Sequence, residues 1–85
     1  LSDEKFRATA IKYEKGKDQA PKLVAKGEGV LAKKIVELAE KHGIPVLEDK
    51  NLVNLLFKLE PEEEIPPELY RAVAKILAWV YTRLK

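Results

Sequence analysis

Cysteine and methionine are absent from this chain, and histidine occurs once. Without cysteine there can be no disulfide framework and no thiolate metal centre, and a single imidazole cannot make a His-rich ligand set. With methionine absent, Leu1 is expected to be a trimmed or an artificially chosen start. Long apolar runs are also missing. The best stretch, residues 72–81, is broken by Lys75 and supplies about half of the ~20 residues needed to span a bilayer. No charged segment followed by an apolar stretch opens the chain, so neither a secretory signal nor membrane insertion is expected. Charge of one sign is lacking too: 16 basic residues face 14 acidic ones, for a net charge of +2. Residues 1–43 carry 10 basic and 7 acidic side chains and residues 44–85 carry 6 and 7, which gives a weak field and no clustered stripe of the kind that binds nucleic acid.

Catalytic chemistry has little to work with. Ser2 lies in an end expected to fray, and Thr9 and Thr82 have no base near them in sequence, so no acyl-transfer triad can be assembled and no enzyme is expected. Glu62, Glu63 and Glu64 lack the alternating ligand spacing and turn glycine of a calcium loop and read as a solvated acidic loop, so no metal is expected. His42, one residue before Gly43, suits a helix C-terminus, where an imidazolium can meet the last carbonyls.

What is present is the balance of a packed protein: 85 residues, 46% hydrophobic and 35% charged. This length allows one domain spanning residues 1–85, with residues 1–5 frayed, and its composition suits a monomer in the reducing cytoplasm. Residues 6–13 alternate as a strand with Thr9, Ile11 and Tyr13 on one face, and a loop with Gly16, Asp18 and Pro21 follows. Residues 22–26 form a second strand stopped by Gly27 and Gly29. Leu31, Ile35, Leu38, Ala39 and His42 then fall at helical spacing up to Gly43, a natural stop.

Ile44-Pro45-Val46-Leu47-Glu48 is a compact apolar run that reads as a third strand, and a strand, helix and strand this close together imply a right-handed parallel crossover. Asp49 or Asn51 can cap a second helix with Leu52, Val53, Leu55, Leu56 and Leu59 as its apolar face, ended by Pro61. Pro66, Pro67 and Glu68 open a last helix whose inward face is Leu69, Val73, Ile76, Leu77, Val80 and Leu84. The expected fold is therefore α/β, a small mixed sheet of about three strands with one parallel βαβ crossover, packed by three helices.

Three features could carry function. Gly27-Glu28-Gly29-Val30-Leu31-Ala32 fits a Gly-x-Gly-x-x-Gly/Ala turn between strand and helix, with Glu48 or Asp49 about twenty residues on, the spacing of a dinucleotide site. Against this, Glu28 sets a carboxylate where a pyrophosphate would sit, and a single crossover cannot supply paired nucleotide-binding halves; the alternative is that the glycines allow a tight turn and close helix packing. Lys12, Lys15, Lys17, Lys22 and Lys26 surround the first loop, but Glu14 and Asp18 are mixed among them and no aromatic is placed for base stacking. Finally, the last helix carries Tyr70, Ala74, Leu77, Ala78, Trp79 and Tyr81 beyond its core face, more apolar surface than one sheet covers.

Four blocks, taken together, resemble the cytoplasmic domain of the FlhB family of type III export-gate proteins. They are Ala8-Thr9-Ala10-Ile11-Lys12-Tyr13, Ala20-Pro21-Lys22-Leu23-Val24-Ala25-Lys26-Gly27, Gly43-Ile44-Pro45-Val46-Leu47-Glu48, and residues 65–74 running into Leu77-Ala78-Trp79-Val80. The resemblance covers residues 6–83 and absorbs the glycine motif without a nucleotide, so no cofactor is implied. Where that family carries a self-cleaving Asn-Pro-Thr-His motif, this chain has Asp3-Glu4-Lys5-Phe6, so self-cleavage is not expected. The resemblance further implies a free-standing form of the processed switch domain, without the family's transmembrane helices. Rod- or hook-type export substrates and other export-apparatus proteins would be its partners, at or near the membrane gate. Its apolar dock would comprise Ala20, Pro21, Ala74 and Leu77.

Overall fold

The computed structural model describes residues 6–83. Strands β1 (Arg7–Lys12) and β2 (Lys22–Glu28) form an antiparallel pair, followed by helices α1 (Val30–Lys41), α2 (Lys50–Leu56) and α3 (Tyr70–Arg83), the last entered through a 3-10 turn at Pro67–Leu69. The α/β class and the three helices agree with the sequence, but the sheet does not. Among the described residues it has two strands, with no parallel crossover, and residues 44–48 are not a strand. The edge of β2 that a crossover strand would occupy is already taken. Leu23 N–H donates to the Glu63 carbonyl (3.0 Å), Ile65 N–H donates to the Pro21 carbonyl (2.8 Å), and Lys22 bridges Glu64 in antiparallel fashion. Pro45 also has no N–H to give a ladder.

Register explains which side chains reach the core. Arg7 to Ala10 pair with Glu28 to Ala25 in step, but Ile11 then pairs with Leu23, so Val24 is the extra residue of a β-bulge. Directly opposed residues share a face. The bulge therefore moves Leu23 from the face of Ala25 and Gly27 to the face of Thr9 and Ile11. There it is fully buried with Leu52, Leu56, Leu59, Ile65 and Val73, which form the core. The other face, Ala8 and Gly27 among it, packs against α1.

Helix α1 meets the sheet with a different stripe from the one the leucines suggest. Ala32 is fully buried and Ile35, Val36 and Ala39 are half-buried, whereas Leu31, Leu38 and His42 are exposed. The reason lies at Gly27, where a Cβ would stand 2.7 Å from Leu31 Cγ and 3.0 Å from Ile35 Cδ1. A strand with no side chain there lets the helix approach closely, and close approach favours an alanine-centred face. The helix ends in a Schellman motif: Ile44 N–H donates to Ala39 O (2.8 Å), Gly43 N–H to Glu40 O (3.2 Å), and Gly43 has φ of 71°. His42 occupies the cap position, and its main-chain N–H donates to Leu38 O.

Helix α2, at 7 residues too short to persist alone, is started by Asp49, whose side chain accepts from Leu52 N–H (3.0 Å). It buries Leu52 and Leu56 while Leu55 faces outward. It stops well before Pro61 because Lys58 and Leu59 tighten onto Leu55 and Leu56 three residues back. Phe57 then locks α2 to the sheet. The Arg7 guanidinium lies 4.5 Å and the Lys26 ammonium 5.1 Å from its ring centroid, and Lys26 Nζ donates to the Phe57 carbonyl (3.0 Å).

The acidic loop is a built turn. Glu63 N–H donates to Glu60 O (3.0 Å), with Pro61 second and Glu62 third at φ 75°, the geometry of a type II turn that prefers glycine at the third position. Glu62→Gly should therefore stabilise the fold by roughly 0.5–1 kcal/mol, the left-handed strain of about 1–2 kcal/mol less the extra chain entropy of glycine. A urea midpoint that rises at constant slope would show it, and a fall would mean that the Glu62 side chain matters more than its backbone.

Candidate docking site

Packing decides which members of the sequence-derived dock can touch a partner. Ala20 is only 4% exposed, so its methyl lies in the packed interior. Pro21 is half-buried, Ala74 is exposed, and Leu77 is half-buried against the core cluster. The Pro21 carbonyl holds Ile65 N–H, and Ile65 is itself buried beside Leu23 and Val73. This link ties the start of β2 to the segment that leads directly into α3. Ala74 and Leu77, three residues apart, project from neighbouring positions on that helix.

The excess apolar surface read from the sequence of α3 is present on its outside. Tyr70, Ala74, Ala78 and Tyr81 are all exposed and follow at spacings of four, four and three, one stripe of the helix. Two small residues lie between two tyrosines, so the stripe is low at its centre and raised at its ends. Tyr70 and Tyr81 were legible as surplus apolar residues, but the end-wall arrangement required the burial pattern. Beyond Tyr81 the helix closes on itself: Arg83 lies over the Trp79 ring at 4.5 Å, and Thr82 Oγ1 donates to the Trp79 carbonyl at 2.6 Å. Leu84 lies outside the described residues, as do Asp3, Glu4 and Lys5.

The other sequence candidates have local structural work. At the glycine turn, the space above Gly27 is filled by Leu31 and Ile35 of the chain's own helix, and Glu28 accepts from Arg7 Nε at 2.8 Å. The glycine at 27 thus serves the packing of the chain's own helix. Lys17 pairs with Glu14 (3.6 Å) and Lys26 with Glu60 (3.7 Å), which leaves the first-loop lysines interspersed with acid. Glu60 N–H is held by Glu63 Oε1 at 2.9 Å. No described helix is long and apolar enough to cross a membrane.

Known proteins share this fold. The chain is 47% identical over 79 residues to the flagellar biosynthetic protein FlhB of Aquifex aeolicus, covering 92% of this chain but 23% of that protein. It is 40% identical over 75 residues to protein YlqH of Bacillus subtilis, covering 88% of this chain and 81% of that one. Among solved structures, the PscU C-terminal domain superposes with a TM-score of 0.80 at 34% identity, over 86% of this chain and 94% of that chain. A mutated EscU/SpaS C-terminal domain reaches a TM-score of 0.86 at 26% identity, over 89% of this chain and 95% of that one. The chain thus spans about a quarter of the FlhB protein it matches and nearly the whole of these isolated domains. A family model described as the FlhB HrpN YscU SpaS family matches residues 7–80, and the chain belongs to that family.

Proposed function

We propose that this chain is a non-catalytic docking module of the flagellar or related type III export apparatus. It receives rod- or hook-type export subunits, or stands in for the processed cytoplasmic switch domain of a membrane-anchored relative. The observation that carries this reading is the exposed α3 stripe of Tyr70, Ala74, Ala78 and Tyr81, flanked by the half-buried Leu77. Small apolar side chains at a recessed centre accept a short apolar motif with little loss of rotamer freedom, since alanine and proline have almost none to lose. Family membership and the match to PscU and EscU/SpaS domains support the assignment to export.

Ala74→Glu tests the dock with little risk to the fold, because Ala74 is exposed on a helix. Titration of purified rod or hook subunits by calorimetry should show binding weakened about tenfold or more, a loss of roughly 1.4 kcal/mol. Unchanged affinity in Ala74→Glu and in Pro21→Asp would remove this surface from consideration. Restoration of export in cells whose membrane-anchored relative lacks its own cytoplasmic part would separate the stand-in role from simple substrate binding.

A further inference from the structure

Charge on α3 is one-sided. From Tyr70 to Arg83 the helix holds Arg71, Lys75 and Arg83 and no carboxylate. Arg83 is taken up by the Trp79 ring. Arg71 and Lys75 are both exposed, and no described residue meets either side chain in a hydrogen bond, an ion pair or a ring contact. Glu68, three residues before Arg71, is likewise exposed and forms no ion pair with it.

Neither cation helps the helix that carries it. Arg71 is the second residue of α3, at the positive end of the helix dipole, where cations are disfavoured. Lys75 follows four residues later, so the two like charges stand a turn apart on one face and repel. Both border the apolar stripe. By helical spacing Arg71 and Lys75 are the outer neighbours of Tyr70, Ala74 and Ala78, on the side away from the buried Val73. Ala74 and Ala78, small and four residues apart, leave room there for a second helix to approach closely, since the distance between packed helices follows the size of the side chains at the contact.

We propose that the occupant of the α3 stripe is an amphipathic helix of a partner protein with two carboxylates, a turn apart, along one flank of its apolar face, and that Arg71 and Lys75 select for them. The inference rests on the reading of the stripe as a dock and names the chemistry of what it receives. Apolar contact over Ala74 and Ala78 supplies most of the affinity, while the two cations at the rim supply selectivity, because exposed ion pairs add little binding individually. A second copy of α3 does not meet this description, for it has no carboxylate to offer.

Amide chemical shifts of the whole chain, followed while blocked peptides are titrated in, test it. The probe Leu-Ala-Gln-Leu-Glu-Gln-Ala-Leu-Glu-Gln-Leu, when helical, has its leucines on one face and its two glutamates a turn apart at the flank, and its counterparts carry glutamine or lysine in place of both glutamates. The glutamate peptide should shift the Ala74 and Ala78 amides with a dissociation constant about fivefold below that of the glutamine peptide, an advantage that shrinks as sodium chloride is raised. The lysine peptide should bind more weakly than either. In the double variant Arg71→Gln/Lys75→Gln the glutamate and glutamine peptides should bind alike. That variant removes a repelling pair and keeps good helix formers, so it should melt no lower than the parent and a loss of selectivity is not a loss of fold. Equal binding of the glutamate and glutamine peptides by the parent, or an advantage that survives in the double variant, would overturn the proposal and leave the dock standing. Ala74→Glu that binds the glutamine peptide as tightly as the parent does would instead strike the dock itself, and this inference with it. Release of the glutamate peptide by phosphatidylserine vesicles but not by phosphatidylcholine vesicles would assign the two cations to a membrane surface and overturn the proposal, as would the absence of any shift at Ala74 and Ala78.

Discussion

Leu23→Ala should cost about 3 kcal/mol, within the 2–5 kcal/mol typical of buried leucine truncations, and lower the melting temperature by roughly 12–24 °C for a domain of this size. Leu23 is fully buried, and the residues around it come from several elements: Leu52 and Leu56 from α2, Ile65 from the bridging segment and Val73 from α3. Few of these elements can shift to fill the space without losing contacts of their own. The substitution leaves the main chain in place, so the bonds between Leu23 and residues 62 and 63 persist and the loss isolates the side chain. Leu55→Ala, on the outward side of α2 where the side chain is 44% exposed, is the matched control and should cost well under 1 kcal/mol. Thermal and urea unfolding followed by circular dichroism would measure both. Equal losses at the two sites would contradict the bulge-dependent placement of Leu23 in the core.

Gly27→Val separates the two readings of the glycine turn. Even a first carbon at Gly27 meets Leu31 Cγ at 2.7 Å and Ile35 Cδ1 at 3.0 Å, and valine adds two methyl groups to that space. Leu31 is largely exposed and can swing away, but Ile35 is held between helix and sheet. A loss of about 1–3 kcal/mol is expected, the usual cost of overpacking, as α1 is lifted from the sheet. Had the glycine served a phosphate instead, the variant would stay as stable as the parent, and NAD or ATP would raise the melting temperature of the parent by mass action. The expected result is a destabilised variant and a parent whose melting temperature does not respond to millimolar NAD or ATP.

Local chemistry was legible in the residues themselves. Gly43 stops α1 because a left-handed residue without a Cβ lets two amides turn back onto Ala39 and Glu40, and Asp49 starts α2 because its carboxylate reaches the Leu52 amide. Both depend on atoms within a few residues of each other. The strands β1 and β2, the apolar excess of α3 and the family resemblance were likewise carried by short blocks of sequence. The third strand was not: Ile44, Val46 and Leu47 have strand-like composition, yet pairing is decided by segments distant in sequence, and residues 62–65 hold the edge of β2.

The same limit applies to the site. From sequence, Ala20 and Ala74 are equivalent small apolar residues, and only packing makes Ala20 interior and Ala74 surface. The bulge at Val24, which carries Leu23 into the core, has no local signature because it is set by cross-strand register. The alanine stripe of α1 faces inward because Gly27 opens room for it from a different element. Sequence alone determined that β1, β2 and the three helices form, where α1 stops and α2 starts, and which family the chain resembles, since these rest on neighbours along the chain. Tertiary structure decided strand partners, the inward face of α1 and which of the expected dock residues are exposed, since each depends on groups distant in sequence competing for the same space.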